Sequence, residues 1–474
     1  MAYTTIDNPE LFFQTKLYTG NGSTNAITLD GSENMKPDWV WLKYRSSADS
    51  HALYDSVRGT QKLIQTDRTN GEITQTNGLS TFGSDGFTIG DNGQINTSSG
   101  TYVSWNWKAG GSAPAITYSV KVVSDGGNKY RFDDFGTSAV TLDLQEGGTY
   151  TFDLSDSSND GHPMKFSETS NGSHGGGSTY STGVVYQLDG ASVTEANYYN
   201  TSNFNSASSR KIIITVAASA PTLYYFCHYH SGMGGQANTN STFGSSNFSG
   251  SIQSTVSANT TAGFSICTFT NPSSTANFTF GHGLGVAPRM FIMKGLNTSN
   301  WQVYHESMGN TNMIQLNYTN AKSSAANWWG STSPTSSVCT VGADFVEPNQ
   351  TSVAYVLAEK KGYSKFSSYV GNGSSSGPMI VTGFKVAWLL FKGNNTSNWQ
   401  LWDNKRDTIN PVKRALHPDI TNTASTDQDI DFLSNGFKIR GSAAHINGSG
   451  VSFFYMAFAE SPFVNSNGVP TNAR

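Results

Sequence analysis

Short runs with alternating apolar and polar residues recur along the chain, and most are bounded by glycine, serine, threonine or asparagine. TYVSWNWK and TYSVKVVS are typical, because aromatic or β-branched residues occupy every second position. A period of two residues predicts strands with one buried face, and the polar segments between them predict tight turns. The pattern therefore predicts an all-β protein.

One sequence pattern occurs three times. GLNTSNWQVYHES begins at Gly295, GNNTSNWQLWDNK begins at Gly393, and PDWVWLKYRSSADSHALYDS is a fainter copy near the N-terminus. Two sets of residues share a register in the copies: Lys43, Lys294 and Lys392, each ending an apolar run, and Phe87, Phe345 and Phe437, each ending the motif SDGF, GADF or SNGF. Repetition at this spacing predicts three β-units of roughly a hundred residues, a size that two packed antiparallel sheets can fill.

An unrelated block separates the first two units. KAGGSAPA precedes this block, and the low-complexity stretch QANTNSTFGSSNFSGS follows it. The expected segments are unit one at 1–112, the inserted block at 113–237, a Ser/Asn/Gly-rich linker at 238–260, a divergent unit two at 261–361 and unit three at 362–474. The prediction is therefore a multidomain string of β-sandwiches.

The amino-acid composition limits the classes of binding partner that we expect. The chain has 29 basic and 33 acidic residues among 474, and only 13% of its residues are charged, so it lacks the basic surface that nucleic acids or anionic membranes attract. The start, MAYTTIDNPELFFQ, has neither the basic nor the apolar region of a signal peptide, and no apolar run approaches the roughly 18 residues of a membrane span. We expect no nucleic-acid binding, membrane insertion or signal-peptide secretion.

The inserted block contains a set of metal-ligand residues. His162 lies in DGHPMKF at the start of a middle strand, and Cys227, His230 and Met233 lie in YYFCHYHSGMGG after the last strand. A thiolate, two imidazoles and a weak thioether suit copper in both oxidation states. This order resembles that of the cupredoxins over residues 113–237. The resemblance implies a Greek-key sandwich that holds copper through these four residues.

One feature departs from the cupredoxin pattern. Only Ser231 and Gly232 separate the histidine from the methionine, whereas plastocyanin-like loops have four residues there. His228 is adjacent to Cys227, so strand alternation points it to the opposite face. The alternative is a metal-free domain in which Cys227 is a buried thiol and Met233 fills a gap in the core.

The repeats contain two Asn-Trp pairs, Asn300 with Trp301 and Asn398 with Trp399. Aromatic faces stack on sugars and amides bond hydroxyl groups, so these four residues are candidates for glycan binding. The alternative is that the tryptophans fill the core, because each pair comes directly after a buried strand. The sequence favours this alternative.

Catalysis is not expected. His305 stands next to Glu306 in unit two, but Asp403 replaces that histidine in unit three, and a catalytic residue would not be expected to change type between copies. We expect a protein that is not an enzyme.

Three scattered cysteines make no disulfide framework, although Cys267 and Cys339 can in principle pair.

The repeats resemble a module of marine tailed-bacteriophage structural proteins, such as those of cyanophages and pelagiphages. The resemblance is carried by DWVWLKYRSSADSHALYDSVRG, GLSTFGSDGFTIG and TYVSWNWKAGG, and by the ending FFYMAFAESPFVNSNGVPTNAR. It implies three lectin-like, concanavalin A-like jelly-roll units in a virion protein, either a tail-fibre or receptor-binding protein or a capsid decoration. Such a protein is assembled in the host cytoplasm and exposed on the particle.

The implied partners are other virion proteins, a host-surface glycan or receptor, and further copies of the chain, in a trimer if the protein is fibre-like. Two alternatives remain open. One is a copper-binding redox or metal-scavenging protein displayed on the virion, and the other is a glycan depolymerase.

Overall fold

A computed structural model describes residues 2–110, 113–239, 244–345, 347–426 and 428–471. These residues form 36 strands and four α-helices of four to six residues, which confirms the predicted all-β fold. Among the described residues, no helix has the length and apolar character needed to cross a bilayer. The chain divides into two compact units. The three-repeat body comprises Met1–Ala109 and Ala258–Arg474, and the inserted domain is Gly110–Ser257.

The first repeat follows a short 3-10 helix at Pro9–Leu11. Its strands are β1 (Phe13–Thr19), β2 (Asn25–Thr28), β3 (Trp39–Tyr44), β4 (Ala52–Asp55), β5 (Lys62–Gln65), β6 (Ile73–Thr74), β7 (Leu79–Gly83), β8 (Gly86–Ile89) and β9 (Thr101–Trp107). Helix α1 (Gly93–Asn96) precedes the last strand, and the side chain of Asn92 caps its N-terminus.

The inserted domain contains eleven complete strands and the start of a twelfth. They are β10 (Ala115–Ser124), β11 (Asn128–Phe132), β12 (Leu142–Asp143), β13 (Thr149–Asp153), β14 (Met164–Ser167), β15 (Val184–Leu188), β16 (Ala191–Val193), β17 (Arg210–Thr215), β18 (Leu223–Cys227), β19 (Gly235–Asn238), β20 (Ser245–Asn247) and β21 (Ser254–Asn259), the last of which ends in the body. Its helices are the 3-10 turns Ser157–Asn159 and Gly172–Gly175, and α2 (Glu195–Tyr199) and α3 (Thr201–Ser206).

The second and third repeats complete the body. The second contains β22 (Phe264–Thr270), β23 (Phe278–Gly281), β24 (Met290–Gly295), β25 (Trp301–His305), a 3-10 turn at Glu306–Met308, β26 (Asn312–Gln315), β27 (Ser323–Ser324), β28 (Val338–Val341) and β29 (Thr351–Leu357). The third contains β30 (Ser364–Val370), β31 (Met379–Val381), β32 (Phe384–Gly393), β33 (Gln400–Asp403), β34 (Ile430–Leu433), β35 (Gly436–Ile439), α4 (Ala444–Asn447) and β36 (Ser452–Pro462).

Each repeat is built from a larger and a smaller antiparallel sheet. The strand orders are β1-β9-β3-β4-β5-β6 with β2-β8-β7 in the first, β22-β29-β24-β25-β26-β27 with β23-β28 in the second, and β30-β36-β32-β33 with β31-β35-β34 in the third. In every larger sheet, the first strand of the repeat pairs with the last strand. This common order gives three related sandwich-like units, and their assignment as jelly rolls stays a prediction.

The predicted register of the second repeat is wrong at one position. Phe87 and Phe437 pair with Ile27 and Ile380 in the smaller sheets, but the equivalent partner of Phe280 is Cys339. Phe345 follows that strand in a turn and is buried there. The local motif GADF resembles the other two copies, but the strand that fills the sheet lies earlier in the chain.

Part of the expected linker at 238–260 belongs to the inserted domain. Ser245–Asn247 forms β20, and Phe248 is buried in the core of that domain. The hydroxyl of Tyr118 donates a hydrogen bond of 2.8 Å to the carbonyl of Ser246. Phe248 and this hydrogen bond hold the segment against the inserted domain, although serine and asparagine dominate its composition.

The larger sheets of all three repeats face one common core. In β3, Trp39 and Trp41 join this core, while Val40 and Leu42 face the core inside the first repeat. Both faces of the strand are therefore buried. Aromatic contacts cross between repeats: the Trp39 ring stacks on Tyr355 of the second repeat at 4.5 Å between centroids. The common core makes the repeats one body instead of three separately packed sandwiches.

Three buried lysines connect the repeats around this core. Lys43, Lys294 and Lys392 are at most 1% exposed. Each ammonium group donates to a threonine carbonyl of a neighbouring repeat: Lys43 to Thr421 at 2.8 Å, Lys294 to Thr69 at 3.0 Å and Lys392 to Thr319 at 3.2 Å. The first repeat thus binds the third, the second binds the first, and the third binds the second. We call this closed set of contacts the lysine ring.

A second set of buried polar contacts joins the repeats in the opposite order. In this set a strand-end residue of the first repeat contacts the second, one of the second contacts the third, and one of the third contacts the first. The Tyr355 hydroxyl donates to Asp55 at 2.7 Å, the Trp105 indole N–H donates to Asp403 at 3.0 Å, and the His305 imidazole contacts the Tyr455 carbonyl at 3.1 Å. Asp55, His305 and Asp403 are the last residues of equivalent strands, β4, β25 and β33. Burial lowers the pKa of His305 to about 4, so this imidazole is neutral and donates its N–H.

Replacing Asp55 with alanine is expected to destabilise the body by about 3–5 kcal/mol, because buried Arg58 then loses the closer of its two carboxylate partners and keeps only Glu72 at 3.1 Å. The Asp55 and Arg58 side chains are 0% and 2% exposed, and their N–O distance is 2.5 Å. Chemical denaturation measures the loss. The control is Asp30→Ala in an exposed pair with Lys16, for which we expect at most about 1 kcal/mol. Equal losses in the two variants would contradict the assignment of Asp55.

Burial lowers the pKa of Lys294 from 10.5 to about 8, so between these values the folded state binds fewer protons than the unfolded state. The free energy of unfolding should therefore rise with pH, by at most about 1.4 kcal/mol per pH unit for each such lysine. We expect a shallower rise between pH 8 and 9.5 in Lys294→Met. Exposed Lys413→Met should keep the wild-type slope. If the free energy of unfolding rose equally with pH in all three proteins, the buried Lys294 would not be a source of this pH dependence.

Candidate metal centre in the inserted domain

The inserted domain contains two mixed sheets, β11-β10-β13-β17-β15-β16 and β12-β19-β18-β14. Strand β14 runs antiparallel to β18, and Met164 is opposite Cys227. A residue just before the start of β14, such as His162 two positions earlier, therefore lies near Cys227, which ends β18. This pairing brings His162 next to Cys227, although 65 residues separate them in the sequence.

Three of the four predicted ligands converge. The Cys227 sulfur lies 3.8 Å from Nδ1 of His162 and 3.5 Å from Nδ1 of His230. The two imidazole rings are 4.6 Å apart between centroids, and the ligand atoms of all three residues lie within 4.8 Å of one another. Cys227 is buried, His162 is half-buried and His230 is exposed. One metal ion can reach a thiol and two imidazoles at this position.

Met233, the fourth predicted ligand, is 1% exposed and belongs to the same hydrophobic core as Cys227. Its carbonyl accepts a 3.0 Å hydrogen bond from the backbone N–H of Tyr130. The short loop thus buries the methionine at this end of the domain. Its role as an axial ligand stays a prediction.

The short loop is held by a residue that the sequence analysis did not identify. Asn171 adopts a left-handed backbone conformation with φ of 62°. Its amide nitrogen donates to the Ser231 hydroxyl at 2.8 Å, and its amide oxygen accepts from the Gly232 N–H at 2.8 Å. The Lys129 ammonium donates to the Gly232 carbonyl. The Asn-Gly pair at 171–172 is a turn signal in the sequence, but it does not reveal which loop it contacts.

Hydrogen bonds also fix the backbone of the ligand residues. The Tyr130 hydroxyl donates to the His162 carbonyl at 2.8 Å, and the His174 imidazole contacts the Cys227 carbonyl at 3.1 Å. His174 lies in the 3-10 turn at Gly172–Gly175. These contacts orient the backbone at His162, which precedes β14, and at Cys227, which ends β18.

The protonation of the cluster follows from its burial. Burial lowers the pKa of His162, and the neighbouring His230 lowers it further, so the neutral imidazole is favoured. Burial raises the pKa of the Cys227 thiol. A neutral imidazole can bind a metal directly, whereas the thiol must first lose its proton. Metal binding at this site would therefore release a proton from Cys227.

His228 lies outside the cluster. Its ring stacks on Tyr199 at 4.0 Å between centroids, and its Nδ1 is 3.3 Å from the Lys165 ammonium. This position agrees with strand alternation, which turns the side chain of His228 away from that of Cys227.

The Asn-Trp pairs of the repeats have structural contacts. Trp301 is 0% exposed and Trp399 is 3% exposed, and both belong to the common core. Their indole N–H groups donate to the carbonyls of Gln65 and Gln315, each at 2.8 Å and each in another repeat. Both indole faces are covered by the core, so stacking of these tryptophans on a sugar is not proposed.

The two asparagines are also engaged, but by side chains of their own repeat. Asn300 accepts a hydrogen bond from Asn317 at 3.0 Å, and Asn398 donates to Asp419 at 3.0 Å. Asn317 and Asp419 also accept the backbone N–H groups of Trp301 and Trp399. The Asn-Trp motif therefore positions a core indole at a contact between repeats.

The remaining cysteines are free and fully buried. Cys267 is on β22 and Cys339 is on β28. The possible disulfide between them is not formed in this structure.

The residues of the cluster fit a copper ion by their chemistry. Cysteine and histidine together bind copper or zinc, and a nearby methionine favours copper. Cys227, His162 and His230 would hold the ion, with Met233 as the predicted weak fourth ligand. Bound copper would supply one-electron redox chemistry, which the side chains themselves lack.

A family model described as a domain of unknown function (DUF7483) matches residues 8–126 and 237–462. No curated protein matches the chain. The matched segments include nearly all of the three-repeat body and both ends of the inserted domain. The ligand cluster lies in residues 127–236, outside the match, so this family model does not describe the candidate metal centre.

Wild-type protein is expected to bind one copper ion per chain and to absorb visible light through the copper–thiolate bond, and Cys227→Ser should lose this absorption. Asn171→Ala, which frees the loop at Gly232, should weaken copper binding by about 10- to 100-fold. His228→Ala is the matched control and should bind as the wild type does. Metal titration with elemental analysis checks each result. Copper bound equally by Cys227→Ser would exclude this site.

Proposed function

The chain belongs to the DUF7483 family, and we propose that it is a non-enzymatic structural protein of a tailed-bacteriophage particle. The proposal rests on the resemblance of the repeats to modules of such virion proteins. The main structural support is the closed body, in which two rings of buried polar contacts and one core join three repeats. A body closed in this way suits a protein that must keep its shape outside the cell.

We propose a place in a tail fibre, in a receptor-binding protein or on the capsid surface, with attachment to a host-surface glycan as the role. Other virion proteins and further copies of the chain are its proposed partners, in a trimer if it forms a fibre or knob. In this arrangement the body is the scaffold and the inserted domain is displayed on the particle. Assembly would take place in the host cytoplasm.

A glycan depolymerase is not supported by His305 and Asp403, the residues at the equivalent candidate position of the second and third repeats. His305 contacts the Tyr455 carbonyl and is 2% exposed. Asp403 accepts from Arg406 at 2.6 Å and from Trp105, and its side chain is 0% exposed. Both residues have a structural function within the body.

The second candidate function is copper binding by the inserted domain. The observation that favours it is the convergence of Cys227, His162 and His230 within 4.8 Å. Display of such a site on a particle would allow electron transfer or metal capture outside the cell. The copper titration above tests this function independently of where the protein is located.

Particles purified from the virus that carries this coding sequence should contain the chain in a fixed number of copies, measured by quantitative mass spectrometry. Gold-labelled antibodies against the body should bind intact particles at one recurrent position in electron micrographs. Tail labelling would support attachment, and regular labelling of the capsid would support decoration. Particles that lack the chain would refute the structural role.

A further inference from the structure

The third repeat differs from the other two in one loop of its larger sheet. Leu53 pairs with Ile64 eleven residues later, and Val303 pairs with Ile314, also eleven residues later. In the third repeat Leu401 pairs with Leu416, fifteen residues later. The loop after β33 is therefore four residues longer than its counterparts after β4 and β25.

This longer loop forms one wall of a cavity of about 890 Å³ within the body. The third repeat supplies residues 404–405 and 407–410, the start of β32 and the end of β36, and the first repeat supplies Glu10 and residues 13–15. We call this cavity the inter-repeat groove. Its volume is within the range of roughly 300–1,000 Å³ that is typical of small-molecule sites.

Uncharged hydrogen-bonding side chains line much of the groove. They are Gln14, Thr15, Asn404, Thr408, Asn410, Ser434 and Thr471. Two of their oxygens, Oγ1 of Thr15 and Oδ1 of Asn404, are buried and have no hydrogen-bond partner among the described residues. Thr15 is only 4% exposed. A buried oxygen without a donor is costly, and either oxygen gains one if its side chain turns toward a ligand hydroxyl in the groove.

The charges of the groove disfavour an anionic ligand. Among the lining residues, the three carboxylates Glu10, Asp407 and Glu460 outnumber the two lysines, Lys385 and Lys405, although Asp407 is also paired with Arg414 at 3.4 Å. Lys385 is already paired with Glu460 at 2.7 Å, and the Asn404 amide donates to the same carboxylate at 2.6 Å. A phosphate or sulfate would therefore meet unfavourable charge, whereas ligand hydroxyl groups can donate to these carboxylates.

Several apolar side chains also line the groove, and one of them is strongly exposed. Ile409, near the tip of the longer loop, is 80% exposed. Sugar rings have apolar C–H faces as well as hydroxyl groups, so a saccharide can use both the isoleucine and the polar lining.

We propose that the inter-repeat groove binds a neutral oligosaccharide of a few sugar units. The proposal rests on the proposed attachment role and gives that role a site. We place the site at the third repeat because its loop is four residues longer than the equivalent loops of the other two repeats.

The test uses the whole chain on an array of neutral and acidic oligosaccharides, followed by calorimetric titration with the best soluble neutral compound. Thr408→Trp places an indole in the groove from an exposed position and should weaken binding at least about tenfold. Thr60→Trp is the matched control, an exposed threonine in the corresponding loop of the first repeat, and should bind as the wild type does.

Three outcomes would overturn the proposal: binding that is unchanged in Thr408→Trp, binding of acidic compounds alone, or binding of no oligosaccharide. If the chain is present on purified particles but shows one of these outcomes, the groove proposal fails while the structural role stands. If neutral binding is lost only in Thr408→Trp and particles lack the chain, the groove is a glycan site and the virion role fails.

Discussion

The buried lysine of each repeat sets the constraint on which the body depends. An ammonium group removed from water needs several acceptors, and part of this requirement is met by a carbonyl from the neighbouring repeat. The same three threonine carbonyls also accept backbone N–H groups from Asp49, Ser299 and Ser397, each at 2.8–2.9 Å. Each repeat therefore completes the polar contacts of another, and the three close into one ring around the shared aromatic core.

Much of the fold could be predicted from the sequence because its determinants are local or repeated. The alternation of apolar residues indicates strands, and the lysine at the end of each apolar run is visible in all three copies. The partner of that lysine could not be predicted, because a backbone carbonyl has no signature in the sequence. The register of Phe345 was predicted wrongly for a related reason. The motif GADF resembles the other two motifs locally, whereas the pairing of strands in the structure places Cys339 opposite Phe280.

The candidate metal centre also has features that the sequence predicted and features that it did not. Residue chemistry identified His162, Cys227 and His230, which the structure brings together, because few other functions require cysteine and histidine in this order. The support from Asn171 and His174 was not predicted, since both belong to a polar turn whose contacts depend on tertiary packing. Family membership describes the body, whereas the cluster lies in the segment between the two matched regions. The body and the inserted domain thus call for separate functional tests.

Hydrogen exchange of three backbone amides tests the closed body most directly. The N–H groups of Asp49, Ser299 and Ser397 donate to the threonine carbonyls of the lysine ring, one in each repeat. If the ring and core join the repeats into one cooperative unit, the three amides should exchange with the same free energy of opening, and it should fall equally for all three as denaturant is added. Three distinct free energies of opening would show that the repeats unfold separately and would contradict the account.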